Sequence, residues 1–333
     1  MQRRQRDRAW VALLVLGLCG AIGCKKQTTD AIAVIPKGTT HEYWKSVHAG
    51  AEKAAQELGV SIIWKGPLRE DDREDQIKVL ETFTNMRVKG IVLAPLDDTA
   101  LGPVVTDAVR AGIPVVAMDS SLKSEDLVSF VATDNYKGGK LAGDHLAALV
   151  SGTGRAKVMM LRYAEGSAST AERERGFLDA IAAHKEIEVV SANQYGGVTT
   201  ESAFAASENL LAAHKGPDGA LAVQGIFCPN ESTAFGMLRA LEDSGLAGKV
   251  AFVGFDSSPK MTEAMAKGHM DATVVQDPIK MGYLAVKAMV DHLAGRPVDR
   301  RIDTGATLIT RATMGTPEAQ ALLNPDFKKW LKE

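Results

Sequence analysis

Six short clusters in this chain carry side chains suited to polar recognition. They are Lys37-Gly38-Thr39-Thr40-His41-Glu42-Tyr43-Trp44, Asp119-Ser120-Ser121, Ser167-Ala168-Ser169 with Arg173, Asn230-Glu231, Asp256 and Gln276. Asp, Asn, Gln and Arg are planar groups that donate or accept two hydrogen bonds at once. An adjacent Tyr–Trp pair adds apolar faces. Together they suit a polyhydroxylated ligand, whose hydroxyls donate and accept while its C–H face packs on a ring. Simpler roles stand beside this one. Tyr43 or Trp44 could belong to the core, Asp119 and Asp256 could cap helices, and Gln276 could satisfy a backbone group.

The same residues make a poor enzyme. His41-Glu42 begins a zinc-protease string, but Lys45 follows and the second His is absent. Ser120-x-x-Lys123 and Ser257-x-x-Lys260 match a penicillin-binding pattern without its companion motifs. Gly138-Gly139-Lys140 lacks the first Gly and the Ser/Thr of a phosphate loop. No cofactor and no metal is expected.

The clusters follow apolar runs that read as strands: Ala31–Pro36, Val60–Trp64, Gly90–Ala94, Pro114–Met118, Leu127–Thr133, Lys157–Leu161, Ile187–Ala192, Leu221–Gln224, Val250–Phe255 and Ala272–Gln276. They are nearly continuous in apolar residues, as parallel strands covered on both faces are. Segments of helical period lie between them. Trp44, Val47, Ala51, Ala54, Ala55 and Leu58 share one stripe, which Gly59 ends. This alternation predicts an α/β fold of two doubly wound parallel-sheet lobes, with several short crossings between them. In such sheets ligands sit beyond the carboxyl ends of the strands, where the six clusters lie.

The chain has 333 residues, room for two such lobes. Lys plus Arg is 39 against 41 for Asp plus Glu, so no basic excess points to nucleic acid. Residues 1–24 read as a lipoprotein signal. Arg3, Arg4, Arg6 and Arg8 precede an apolar run from Ala9, which ends in Ala21-Ile22-Gly23-Cys24. That ending resembles a lipobox, with Cys24 as the lipidated residue. The apolar run is shorter than the roughly 20 residues of a membrane-spanning helix. Loss of residues 1–23 removes four Arg and Asp7, leaving 35 basic against 40 acidic residues and a formal charge of −5. Residues 25–30 read as a tether. Cys228 is expected to be a buried structural thiol.

A family resemblance covers Ala31 to about Thr313. The runs IAVIPKGTTHEYWKSVHAGAEKAAQELG, GIVLAPLDDTAL, AGIPVVAMDSS, VATDNYKGGKLAGDHL, AERERGF, VGFDSSP and VVQDPIKMGYLAV together resemble, in order, the ribose-type periplasmic sugar-binding proteins of ABC importers. The resemblance implies the type I periplasmic binding fold, with lobes joined by three crossing strands and closed by ligand. It implies a first lobe of 31–134 plus 277–305, a second of 135–276 plus 306–316, and a C-terminal extension of 317–333. By the same resemblance Tyr43 and Trp44 stack on the sugar, while Asp119, Arg173, Asn230, Asp256 and Gln276 bind its hydroxyls. His41, Ser120 and Ser169 are further candidates beside the cleft. Departures stand at Thr40-His41-Glu42, at Ser120 where ribose binders have Arg, and at Gly197-Val198, where an aromatic residue is missing. The expected function is that of a monomeric, lipid-anchored binding protein in the periplasm or on the outer face of the cell membrane. It would deliver a sugar or polyol to a permease and its ATPase. A sensory binder reporting to a membrane receptor is the alternative. The related repressors carry a helix-turn-helix where this chain has a signal peptide.

Overall fold

The computed structural model describes residues 29–152, 154–217, 219–327 and 329–331. The expectation at Cys24 lies outside them. The described residues form two six-stranded sheets of matching strand order. The first contains β1 (Ala31–Ile35), β2 (Ser61–Trp64), β3 (Gly90–Leu93), β4 (Val115–Met118), β5 (Ser129–Ala132) and β11 (Arg301–Asp303), in the order β11-β5-β4-β3-β1-β2. The second contains β6 (Ala156–Arg162), β7 (Ile187–Tyr195), β8 (Gly225–Phe227), β9 (Ala251–Phe255), β10 (Ala272–Gln276) and β12 (Ala306–Thr310), in the order β12-β10-β9-β8-β6-β7. All pairings are parallel except that of β12 with β10.

Burial explains the continuous apolar runs. In β1, Ile32 and Val34 enter one core cluster while Ala33 and Ile35 enter another across the sheet. In β6, Met159 and Leu161 face one cluster and Val158 and Met160 the other. Both strands are therefore apolar on both faces, the pattern that helices packed on both sides of a sheet impose.

One strand differs from expectation. The eighth lies at Gly225–Phe227 rather than Leu221–Gln224. Its first residue is Gly225, where a Cβ would lie a tight 3.0 Å from the Leu146 side chain and 3.1 Å from that of Val158. The strand thus begins where a helix packs closest, with a residue that reads as a turn former.

The chain passes between the sheets three times: after β5, after β10 and between β11 and β12. The three passages are tied together. Thr304 N–H donates to Ala132 O at 3.1 Å, Thr133 Oγ1 donates to Gly305 O at 3.0 Å, and Lys280 Nζ donates to Thr304 O at 3.3 Å.

Two helices start at these passages and each docks on the first helix of a lobe. Helix α4 (Asn135–Val150) leaves β5 and packs on α5 (Ala168–Ala182). Helix α9 (Pro278–Leu293) leaves β10 and packs on α1 (Glu42–Leu58). Both contacts depend on glycine. A Cβ at Gly139 would lie 1.9 Å from Arg173 O, and one at Gly282 would lie 2.0 Å from Val47 O. Only a bare Cα permits that approach of backbone to backbone.

Gly139→Ala tests this packing. Overfilling a tight contact costs about 1–3 kcal/mol, so its thermal midpoint is expected to fall. Gly102→Ala, in α3 (Gly102–Arg110), meets its nearest neighbour at an ordinary 3.6 Å and is expected to leave the midpoint unchanged. Equal behaviour of the two variants would refute the glycine requirement.

Candidate functional site

The carboxyl ends of the two sheets face one another across a cleft. Asp119 follows β4 and Asp256 follows β9, the fourth strand of each lobe. Both have positive φ, 62° and 64°. Aspartate tolerates this left-handed region better than most residues. Neither caps the helix that follows it: the N-caps of α4 and of α8 (Pro259–Lys267) are Asp134 and Ser258. The turn instead directs both carboxylates into the cleft.

Around them the structure gathers Lys37, His41, Tyr43, Trp44, Glu70, Asp119, Tyr163, Ser167, Ser169, Thr170, Arg173, Asn230, Glu231, Asp256 and Gln276 about a cavity of about 30 Å³. Nine of the ten residues expected from the sequence are thus brought together. Ser120 is not. Its hydroxyl lies behind the cavity, where it accepts from Ser169 N–H at 3.1 Å. Asn230 lines the cavity but is also the N-cap of α7 (Glu231–Asp243), since its Oδ1 accepts from Thr233 N–H at 3.3 Å. Arg175, two residues beyond Arg173, points to solvent, pairs with Glu172 and lies on the Tyr136 ring.

The cleft is built from paired charges. Lys37, 3% exposed, sets its ammonium 2.9 Å from Asp119 Oδ2 and donates to Ser169 Oγ at 2.9 Å. Tyr43 OH donates to Asp119 Oδ1 at 2.9 Å. Burial, then the charges of Asp119 and Asp256, push the Tyr43 phenol well above its ordinary range, so it remains a donor. Arg173, 2% exposed, lies over the Phe255 ring. It donates from Nε to Asn135 Oδ1 at 2.8 Å and from Nη1 to Pro229 O at 3.0 Å, and stands 3.5 Å from Asp256 Oδ2. Gln276 Nε2 donates to Asp256 Oδ1 at 2.7 Å. Burial raises the Asp256 carboxyl, against the opposing pull of Arg173 and Gln276.

Glu70 organises the mouth. It accepts from Trp44 Nε1 at 2.6 Å and from Tyr163 OH at 2.7 Å, and His41 Nδ1 lies 3.0 Å from it. Burial opposes the charge of both His41 and Glu70, but their mutual bond prevails. His41 rises from 6.5 to about 9 and Glu70 falls from 4.5 to about 2. Trp44 is consequently both core and cavity wall: 2% exposed, edge-on to Tyr43 at 5.1 Å, and fixed by its indole N–H.

Six residues of the wall were not among the expected site members: Lys37, Glu70, Tyr163, Ser167, Thr170 and Glu231. Lys37 directly follows the first strand, which was a usable signal. Glu70 and Tyr163 meet across 93 residues of chain, and no local pattern announces that pairing.

Four buried side-chain polar atoms among the described residues have no hydrogen-bond partner, and three of them line this cavity: Ser167 Oγ, Glu231 Oε2 and Gln276 Oε1. Cys228, by contrast, is a buried free thiol whose pKa burial pushes far up, and it lies in the core.

The His41–Glu70 pair makes stability depend on pH. The contribution of His41, whose pKa is raised, is complete below 6.5 and lost as pH rises through about 9. That of Glu70, whose pKa is lowered, is complete above 4.5 and lost as pH falls through about 2. Glu231, raised to about 7, separately costs stability as pH climbs from 4.5 to 7. The difference in thermal midpoint between wild type and His41→Gln isolates the pair. It is expected to be largest between 4.5 and 6.5 and to shrink towards pH 9. A difference that stays constant up to that pH would overturn the pairing.

Comparison with known proteins places this geometry. Residues 32–297 match the model of the periplasmic binding protein domain. The chain is 32% identical over 299 residues to the ribose import binding protein of Salmonella typhimurium, covering 89% of this chain and 96% of the relative. Among solved structures, a carbohydrate transporter solute-binding protein of Agrobacterium radiobacter in complex with D-arabinose superposes with a TM-score of 0.83 at 33% identity, covering 88% of this chain and 98% of that one. An ABC transporter solute-binding protein of Agrobacterium vitis with bound D-fucose gives 0.82 at 34%, covering 88% and 99%. With two equivalently wound lobes, three crossings and a polar cleft between the strand ends, the chain belongs to the ribose-type periplasmic binding protein family.

Proposed function

We propose that this chain captures a monosaccharide-sized sugar or polyol between its lobes and presents the closed form to an ABC import permease. The observation that carries this reading is the convergence of three unpartnered buried polar atoms on one cavity. Leaving a buried donor or acceptor unmade costs about 1–3 kcal/mol, and a ligand rich in hydroxyls would recover that. The relatives named above bind ribose, arabinose and fucose, and such ligands suit this chain as well.

In this reading the rings of Tyr43 and Trp44 pack on the C–H face of the sugar. Asp119 and Asp256 accept hydroxyls through their remaining lone pairs, and Arg173 donates from its planar fork. A cavity of about 30 Å³ admits little more than a water molecule. A sugar therefore enters as the lobes part about the three crossings, with residues 31–134 and 277–305 moving against 135–276 and 306–316. Cys24, outside the described residues, anchors the protein by lipid, and residues 25–30 form the tether.

A thermal-shift panel of D-ribose, D-arabinose, D-fucose, D-allose and alditols tests the reading. A ligand at 100 times its Kd is expected to stabilise the fold by about 2.7 kcal/mol. Arg173→Lys, which keeps the charge and loses the fork, is expected to weaken the best ligand about ten-fold or more. Arg175→Ala is expected to stay within about three-fold of wild type, since that side chain faces solvent. Absence of any shift in this panel, extended to amino sugars and amino polyols, would refute sugar capture; loss of affinity at Arg175 instead of Arg173 would refute the assigned site. Cys24→Ala is expected to release the protein from membranes with affinity intact, and retention of the variant in cells without its permease would refute the anchor.

A further inference from the structure

The charges of the cleft do not balance. Asp119 is paired with Lys37, Glu70 with His41, and Asp256 faces Arg173. Glu231, the fourth carboxylate of the cavity wall, forms no ion pair among the described residues, and its Oε2 is buried without a hydrogen-bond partner. The nearby charges do not help it. His41 attracts it but is committed to Glu70, while Asp256, Glu70 and Glu42 all repel it.

From this juxtaposition of a surplus buried carboxylate with three saturated ion pairs we infer that the ligand carries an ammonium group bound to Glu231, as an amino sugar or amino polyol does. The inference rests on the sugar-capture reading and narrows its ligand class.

A neutral hydroxyl would give Glu231 Oε2 one hydrogen bond and leave its charge unmatched. A buried charge without a counter-charge is costly even when hydrogen-bonded. An ammonium supplies both the charge and three donors. Further acceptors are at hand in the same wall: Gln276 Oε1 also lacks a partner and can only accept. Burial, with the repulsion of Asp256, Glu70 and Glu42, raises the Glu231 pKa to about 7. A bound cation would draw the proton off. The site thus favours a positive ligand by the same imbalance that penalises Glu231 when it stands alone. Glu231 is the first residue of α7, and the partial positive charge of that helix end is already shared with Asp256, which accepts the Glu231 backbone N–H.

Calorimetric titration at neutral pH with matched pairs tests this: D-glucose against D-glucosamine, D-galactose against D-galactosamine, and D-sorbitol against 1-amino-1-deoxy-D-sorbitol. In at least one pair the amine is expected to bind about ten-fold or more tightly than its hydroxyl counterpart. Glu231→Gln keeps the shape and removes the charge. It is expected to weaken the amine at least about ten-fold more than the counterpart, and Glu231→Asp to retain part of the preference. If the neutral member of every binding pair is equal or tighter, the inference fails while sugar capture stands. A preference that survives Glu231→Gln would overturn the assignment to Glu231. Binding of no compound in either this set or the earlier panel would overturn both readings.

Discussion

Three cationic and four acidic side chains line one small cavity, and the pairing of six of them is the constraint on which the rest depends. A carboxylate or ammonium taken out of water costs several kcal/mol unless a partner of good geometry stands beside it. Lys37 with Asp119, His41 with Glu70 and Arg173 with Asp256 meet that condition only when loops from distant parts of the chain are in register. The His41–Glu70 contact joins the start of α1 to the loop after β2. Two further bonds cross between the lobes: Lys37 to Ser169, and Tyr163 to Glu70. The contact between the lobes is therefore made of polar pairs as well as buried surface.

The fold serves that constraint by repetition. Each sheet delivers an aspartate at the end of its fourth strand in left-handed backbone, and each lobe docks a crossing helix on its first helix through a bare glycine backbone. Arg173 shows why the glycine contact bears on the site. Its own carbonyl is the atom that a Cβ at Gly139 would strike, and its Nε holds Asn135 at the start of α4. The helix that carries the chain across the hinge is thus fastened to the residue that faces Asp256. The guanidinium rests on the Phe255 ring.

Much of this was legible in the sequence, and for identifiable reasons. Strands buried on both faces leave nearly unbroken apolar runs, so nine of them could be read from the sequence, and Gly59, which ends its helix at a φ of 67°, could be read from its residue type. The clusters after those strands were legible because a parallel sheet points its ligands one way. Three things were hidden. The strand at Gly225–Phe227 starts with a residue chosen for its neighbours Leu146 and Val158, which lie far off in the chain. Strands β11 and β12, largely half-exposed, lack the apolar run that marked the others. Glu70 sits in a stretch of charged residues, Arg69-Glu70-Asp71-Asp72-Arg73, that reads as a solvated loop. Only the fold shows that one of these acids turns inward to meet Trp44, His41 and Tyr163.

That inward turn bears on selectivity. A cleft lined by free acceptors would welcome many hydroxyl patterns. Here most of the polar groups are already engaged: Asp119 by Lys37 and Tyr43, Glu70 by three donors, Asp256 by Arg173 and Gln276. What discriminates between ligands is therefore the few atoms left over. A ligand that fails to reach a buried unpaired group leaves its full desolvation cost in place, and sites built this way reject close analogues strongly. Of the three leftover atoms in this wall, Gln276 Oε1 can only accept. A ligand satisfies it by donating at that point. An ether or ring oxygen placed against it is opposed by repulsion of lone pairs, whatever the remainder of the molecule gains elsewhere in the cleft.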